Sequence, residues 1–179
     1  MTTLRLAAHV TACIALLGVA AVGIPSALPP ALPRMPAIVL GLLVGGLLFT
    51  VVARESIPLS RLRRERRVSV LARSAYLTLR AAGEEVVWRA CVLGALLAVT
   101  SAPAALGTST AGFALSHWRA QKQLAAVHLL TGATFGVLFY ATGRVGAAIA
   151  AHATYNVLVG LGVETSRSRP RPGVTRTLP

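Results

Sequence analysis

The sequence predicts an all-α membrane protein, a polytopic transmembrane helical bundle of about six apolar helices. Hydrophobic residues make up 55% of the 179 residues and charged residues only 13%, a combination that soluble domains rarely show. The apolar residues come in long runs, several of which approach the roughly 20 residues that cross a bilayer. The net charge of +13 comes from arginines between these runs and in the C-terminal tail. Little aromatic sequence is interleaved with them, so the lipid bilayer is favoured as a partner and nucleic acid is not.

Residues 1–67 are predicted to form an N-terminal transmembrane hairpin with a basic cytoplasmic loop. The run at 6–24 is interpreted as a retained helix rather than a cleaved signal peptide, because its basic flank is a single arginine. Residues 25–36 hold five prolines and are interpreted as an external loop, since proline disrupts a helix interior. Residues 37–53 form the second span. Six arginines at 54–67 place the loop that follows in the cytoplasm by the positive-inside rule.

Residues 68–163 are predicted to form the core of the protein. Residues 68–82 have apolar side chains at helical spacing, which favours an interfacial helix or the first part of one long helix bent at Gly83. Residues 86–99 continue as a helix, and the Ser, Pro, Gly and Thr residues at 101–110 predict a break. The remaining segments are apolar stretches at 111–118, 124–142 and 145–163, a turn at Gly143 and Arg144, and a basic tail at 164–179 whose composition predicts disorder.

Two adjacent glutamates, Glu84 and Glu85, stand at the head of an apolar run. A charge at a bilayer centre costs roughly 2.5–3.5 kcal/mol, so such residues usually mark a functional site. Adjacent helical residues point about 100° apart, so the two carboxylates cannot both face one partner. Arg89 follows Glu85 at i,i+4, in the favourable order for an ion pair. The sequence therefore predicts a structural pair of Glu85 with Arg89 and a free carboxylate at Glu84, unless both acids cap a helix and face water.

Two histidines lie in further apolar segments. His117 follows Phe113 at i+4, and Asn156 follows His152 at the same spacing, which puts imidazole and amide on one helix face. A carboxylate and an imidazole can deprotonate one water, and a second imidazole and an amide can donate to an oxyanion, which suffices for amide hydrolysis. Two imidazoles and one carboxylate also suit zinc, with the other glutamate as base. His128 has no polar partner at helical spacing and is interpreted as a packing or interface residue.

These three motifs, in this order and spacing, resemble the CPBP family of intramembrane proteases. That family comprises Ras-converting CAAX prenyl endopeptidases and bacterial bacteriocin-processing or immunity proteins. Its pattern of E-E-x3-R, F-x3-H and H-x3-N or H-x3-D is matched here by Glu84-Glu85-Val86-Val87-Trp88-Arg89, Phe113-Ala114-Leu115-Ser116-His117 and His152-Ala153-Thr154-Tyr155-Asn156. The chain has Ala90 where the family often has glycine after the arginine, a departure that removes no catalytic group.

The resemblance implies a membrane-embedded endopeptidase and a role for each motif residue. Glu84 and His117 would activate water. His152 and Asn156 would stabilise the oxyanion, and Arg89 would hold the second glutamate. Members of the family have been described both as metalloproteases and as metal-independent glutamate proteases, so the resemblance leaves the cofactor open between zinc and none.

The location and the substrate follow from composition and from the resemblance together. The arginine bias is typical of a GC-rich bacterial genome, which predicts a multi-pass protein of the bacterial inner membrane. The expected substrate is then a small secreted peptide or the end of a membrane protein rather than a prenylated one. Two other functions remain open, a catalytically silent scaffold or bacteriocin-immunity protein, and a proton-coupled carrier. Carriers usually show internal repeats, and this sequence shows none.

Overall fold

The structure is a computed structural model that describes residue 28 and residues 31–53, 67–118 and 122–167. Its regular elements are α1 (Arg34–Leu48) with a π-helical turn (Phe49–Ala53), α2 (Arg67–Glu85), a π-helix (Val86–Leu93), α3 (Gly94–Val99), α4 (Ala102–Trp118), a 3₁₀ turn (Lys122–Leu124), α5 (Ala125–Thr142) and α6 (Val145–Arg167). The all-α class is thereby confirmed for this part of the chain. The predicted span at 6–24, the predicted basic loop at 54–67 except for Arg67, and residues 168–179 of the predicted tail lie outside the described residues. Residues 164–167 continue α6 as a helix, so the predicted disorder at 164–179 is wrong at its N-terminal end.

One helix among the described residues, Arg34–Val52, is long and apolar enough to cross a membrane, with a mean hydropathy of 2.4. The apolar helices Ala126–Thr142 and Val145–Leu161 are shorter. Large apolar side chains of α1 are exposed, namely Met35, Val39, Leu42, Leu43 and Leu47. Such a surface is unusual for a soluble protein and suits contact with lipid. The total of about six apolar helices stays a prediction.

Helix α1 begins inside the segment that was predicted as a proline-rich loop. Its first residue is Arg34, and Pro36 lies in its first turn. The first backbone N–H groups of a helix have no partner within the helix, so a proline in the first turn removes no hydrogen bond. The predicted loop at 25–36 is therefore wrong at its C-terminal end.

The predicted break at 101–110 is also wrong in extent. The chain leaves the helical conformation at Thr100, where φ is −138° and ψ is 175°, and α4 begins at Ala102. Helix α4 runs through the Gly and Thr residues that were expected to interrupt it. Its packing against α5 and the π-helix stabilises it in spite of their low helix propensity. Within it, Ser109 is buried and donates to the carbonyl oxygen of Trp88 at 3.1 Å.

Helix α2 continues without interruption through the π-helix into α3, as the alternative of one long helix predicts. The irregularity is not at Gly83 but begins at Val86, directly after the two glutamates. π-Helical segments are rare and are often found at functional sites. Here the segment begins one residue after Glu85 and carries Arg89.

Helix α6 packs against α1, α2 and α5, and its contact with α1 depends on two glycines one turn apart. A Cβ atom on Gly41 would lie 2.3 Å from the carbonyl oxygen of Ala147, and one on Gly45 would lie 2.3 Å from that of Ala151. The two helix backbones therefore touch, as in small-residue packing of membrane helices. Since α6 carries His152, this contact helps to fix that residue.

Replacing Gly45 with alanine should lower the free energy of unfolding by about 1–3 kcal/mol, the usual cost of overpacking. The obstructing atom is a backbone oxygen, which cannot rotate away. The measurement is unfolding of the purified protein in mixed micelles with increasing SDS, followed by circular dichroism.

Gly46→Ala is the matched control, because a Cβ there has no neighbour within 4 Å. The better helix propensity of alanine should leave this variant equally or more stable. Equal stability of the two variants would contradict close packing of α1 on α6.

Candidate active site

The two adjacent glutamates face different surroundings at the end of α2. The Glu85 side chain is fully buried, whereas that of Glu84 is 20% exposed and lines a cavity. This divergence is what successive positions on a helix produce. The alternative in which both acids cap a helix and face water is therefore wrong, because the chain is helical on both sides of them.

Glu85 and Arg89 form a buried ion pair. Arg89 Nε lies 3.0 Å from Glu85 Oε2, and both side chains are fully buried. The N–H does not point at the oxygen closely enough for a hydrogen bond, so the contact is coulombic. Arg89 Nη2 also donates to the carbonyl oxygen of Gly132 at 3.2 Å, and the guanidinium lies 5.2 Å from the centroid of the Phe113 ring. The pair thus connects the π-helix to α4 and α5.

His152 on α6 contacts the second oxygen of the buried glutamate. Its Nδ1 lies 2.8 Å from Glu85 Oε1. A carboxylate can only accept, so Nδ1 carries the hydrogen. The ring stacks on Phe135 with centroids 4.8 Å apart and an angle of 22° between planes. These contacts direct Nε2 toward Glu84, whose Oε2 lies 3.8 Å away.

His117 at the end of α4 approaches Glu84 from another side. Its Nδ1 lies 3.0 Å from the carbonyl oxygen of Phe113 and 3.1 Å from Ser116 Oγ. Because the carbonyl can only accept, Nδ1 is the protonated nitrogen. The hydroxyl of Ser116 donates to the same carbonyl at 2.7 Å. In the neutral ring Nε2 therefore has a free lone pair, and it lies 3.6 Å from Glu84 Oε2.

Glu84 itself is held by Arg80, one turn earlier on α2. Arg80 Nε donates to Glu84 Oε1 at 2.8 Å. The Arg80 side chain is 39% exposed, so the pair lies near the outer part of the site. With Oε1 occupied by Arg80, Oε2 is the oxygen that faces both histidines.

These groups surround a cavity of about 320 Å³. Asn156, one turn beyond His152 on α6, lies on its wall, so the cavity is where the three sequence motifs meet. The rest of its wall is mostly apolar: Leu77, Phe113, Leu124, Val127, Thr131, Tyr155, Val159 and Gly160. A water or a peptide group in this space could reach one carboxylate, two imidazoles and an amide.

A metal centre was one of the two alternatives for this site. Among the residues that the structure describes, no group of three or more His, Cys, Asp and Glu side chains has the geometry of a metal site. This holds also for the set whose chemistry suits zinc, namely Glu84, His117 and His152.

Arg80 and His128 line the cavity but were not predicted from the sequence as site residues, His128 having been interpreted as a packing or interface residue. Arg80 could have been identified, because it precedes Glu84 at i,i+4, although this is the less favourable order for an ion pair. His128 lines the cavity and stacks on His117, with ring centroids 4.3 Å apart. Its partner lies on another helix, so no spacing within its own helix could reveal it.

The chain matches the family model described as type II CAAX prenyl endopeptidase Rce1-like over residues 67–158, slightly more than half of its length. The matched range contains all three motifs. No curated protein and no solved structure matches the chain. The family match confirms the predicted resemblance to CAAX proteases. The chain therefore belongs to the Rce1-like family of type II CAAX prenyl endopeptidases, which are membrane proteases.

Proposed function

We propose that the protein is an intramembrane endopeptidase that hydrolyses a peptide bond with a water activated by Glu84 and His117. The observation that carries this proposal is the convergence of three side chains from different helices. Glu84 Oε2 lies 3.6 Å from Nε2 of His117 and 3.8 Å from Nε2 of His152, at the wall of one cavity. The family match supplies the reaction class and a peptide or membrane-protein substrate.

The separation between Glu84 and His117 suits activation of a water. At 3.6 Å the two groups are too far apart for a direct hydrogen bond, while Glu84 Oε2 and His117 Nε2 can each accept one hydrogen of the same water. Deprotonation by this pair makes the water oxygen nucleophilic toward the peptide carbonyl carbon. The same pair can then return the proton to the amide nitrogen as the C–N bond breaks.

His152 and Asn156 are the proposed donors to the developing oxyanion. The Asn156 amide lies on the cavity wall one helical turn from His152. Nδ1 of His152 donates to Glu85, so donation from Nε2 requires the imidazolium form of the ring. Fixed donors at an oxyanion are among the largest contributions to catalysis of acyl transfer.

Glu85 and Arg89 are proposed to act through His152 rather than on the substrate. Both are fully buried, and Glu85 bonds to the ring nitrogen that faces away from the cavity. This pattern resembles the carboxylate that orients the histidine in other hydrolytic sites. We therefore assign the pair to positioning, with residues 68–163 as the protease core.

Cleavage of a membrane-peptide library is the test of this proposal. Wild-type protein, purified in detergent, should cleave members of the library, and cleavage should continue in the presence of a zinc chelator. His117→Phe should lower kcat by about 10²–10⁴-fold, the usual contribution of a general base, while the phenyl ring preserves packing against Phe113.

Three outcomes would contradict parts of the proposal. Loss of wild-type activity with chelator, restored by zinc, would favour the metalloprotease alternative. Full activity of His117→Phe would remove His117 from the mechanism. Folded wild-type protein that cleaves nothing across a broad library would favour the silent scaffold or immunity protein.

A further inference from the structure

His128 occupies a place in the site that the proposed mechanism does not use. It lies near the start of α5 and lines the cavity beside Glu84 and His117. Its two successors on the helix, Leu129 and Leu130, are 46% and 48% exposed. The imidazole is itself partly buried and faces the cavity that holds the proposed catalytic groups.

The His128 ring lies flat against the ring of His117. The two centroids are 4.3 Å apart and the planes are inclined by 24°. The Phe113 ring also contacts both imidazoles. Its centroid lies 4.8 Å from the centroid of His117, with an angle of 52° between the planes. It lies 6.0 Å from the centroid of His128, in an edge-on arrangement. The ring of His117 is thus enclosed by two aromatic side chains from α4 and α5.

We infer that His128 is a positioning residue that fixes the His117 ring so that Nε2 points at Glu84. The inference rests on the proposed role of His117 as part of the general base. The hydrogen bond from Nδ1 to the Phe113 carbonyl still allows the ring to swing about that contact. A flat partner on one face restricts this motion, because tilting the ring would break the stack.

This role needs an aromatic face at position 128 but not a titratable one. Phenylalanine should therefore replace His128 with little loss, whereas leucine or glutamine should not. The free energy of such an aromatic pair corresponds to a change of about threefold to tenfold in kcat. The loss should fall on kcat, since no contact of His128 with substrate is part of the inference, and KM should stay within about twofold.

Two measurements on the purified full-length protein in detergent test the inference. The first is kcat and KM for cleavage by His128→Phe, His128→Leu and His128→Gln, with Leu130→Ala as the control on the same helix. The second is nitrogen NMR of histidine-labelled protein, in which the ring signals of His117 are assigned with His117→Ala. Wild type and His128→Phe should show His117 protonated at Nδ1 alone, and the Leu and Gln variants should show a mixture of tautomers.

The outcomes separate this inference from the proposed function. Unchanged His117 signals in both the Leu and Gln variants would overturn it, whatever the activity. An equal loss of kcat in His128→Phe and His128→Leu would also overturn it, because the imidazole itself would then be required. In a His117→Ala background, His128→Leu should cause no further loss of kcat. If the two substitutions lower kcat additively, positioning through His117 is contradicted. If His117→Ala retains activity while the NMR result holds, the proposed function fails and the positioning stands.

Discussion

Glu84→Gln is expected to lower kcat by about 10²–10⁴-fold while the protein remains folded. An amide cannot take a proton from water, yet glutamine has the volume of glutamate and can still accept the hydrogen bond from Arg80. The ion pair that is lost is partly exposed, so its contribution to stability is below about 1 kcal/mol. The measurement is steady-state cleavage of a membrane peptide, together with thermal unfolding of the same preparation.

Two further variants make this result specific. Glu84→Asp keeps a carboxylate but withdraws it by one methylene, so its activity should lie between those of wild type and Glu84→Gln. Glu55→Gln makes the same chemical change outside the matched residues 67–158 and should leave cleavage unchanged. Activity of Glu84→Gln within about threefold of wild type would show that Glu84 is not the base.

Part of the candidate site could be predicted from the sequence because its residues are paired by helical spacing, and the resemblance to the CPBP family implied that the three motifs act together. Glu85 and Arg89 are separated by i,i+4, and so are His152 and Asn156, and such pairs share a helix face whatever the tertiary structure. Charges and imidazoles in apolar segments are also rare enough to stand out. The structure places Glu84, His117, His152 and Asn156 at one cavity, and it buries the pair of Glu85 and Arg89 next to them. The chemical roles of these residues remain predictions.

The remaining features depend on contacts between helices and could not be predicted from local patterns. Gly and Thr residues suggested a break before 111, but α4 packs on α5 and begins at Ala102. The π-helix at Val86–Leu93 has no propensity signal that distinguishes it from an α-helix. His128 joins the site through the ring of His117 on another helix, which the spacing of its own segment does not encode.

Arg89→Met is expected to lower the free energy of unfolding by about 3–5 kcal/mol, the largest change in stability that we predict. The variant leaves the Glu85 carboxylate fully buried without its cation. It also removes the hydrogen bond to Gly132 and the guanidinium over the Phe113 ring. The measurement is unfolding in mixed micelles with increasing SDS, followed by circular dichroism.

A double variant separates the charge of this pair from its function. Glu85→Leu combined with Arg89→Met removes both charges and keeps similar volume, so it should recover much of the stability that Arg89→Met loses. It should stay poorly active, because His152 Nδ1 then lacks the carboxylate that accepts its hydrogen. Arg80→Met, which breaks a partly exposed pair, should cost less than about 1 kcal/mol. If the double variant recovers activity along with stability, the buried pair acts on folding alone and does not position His152.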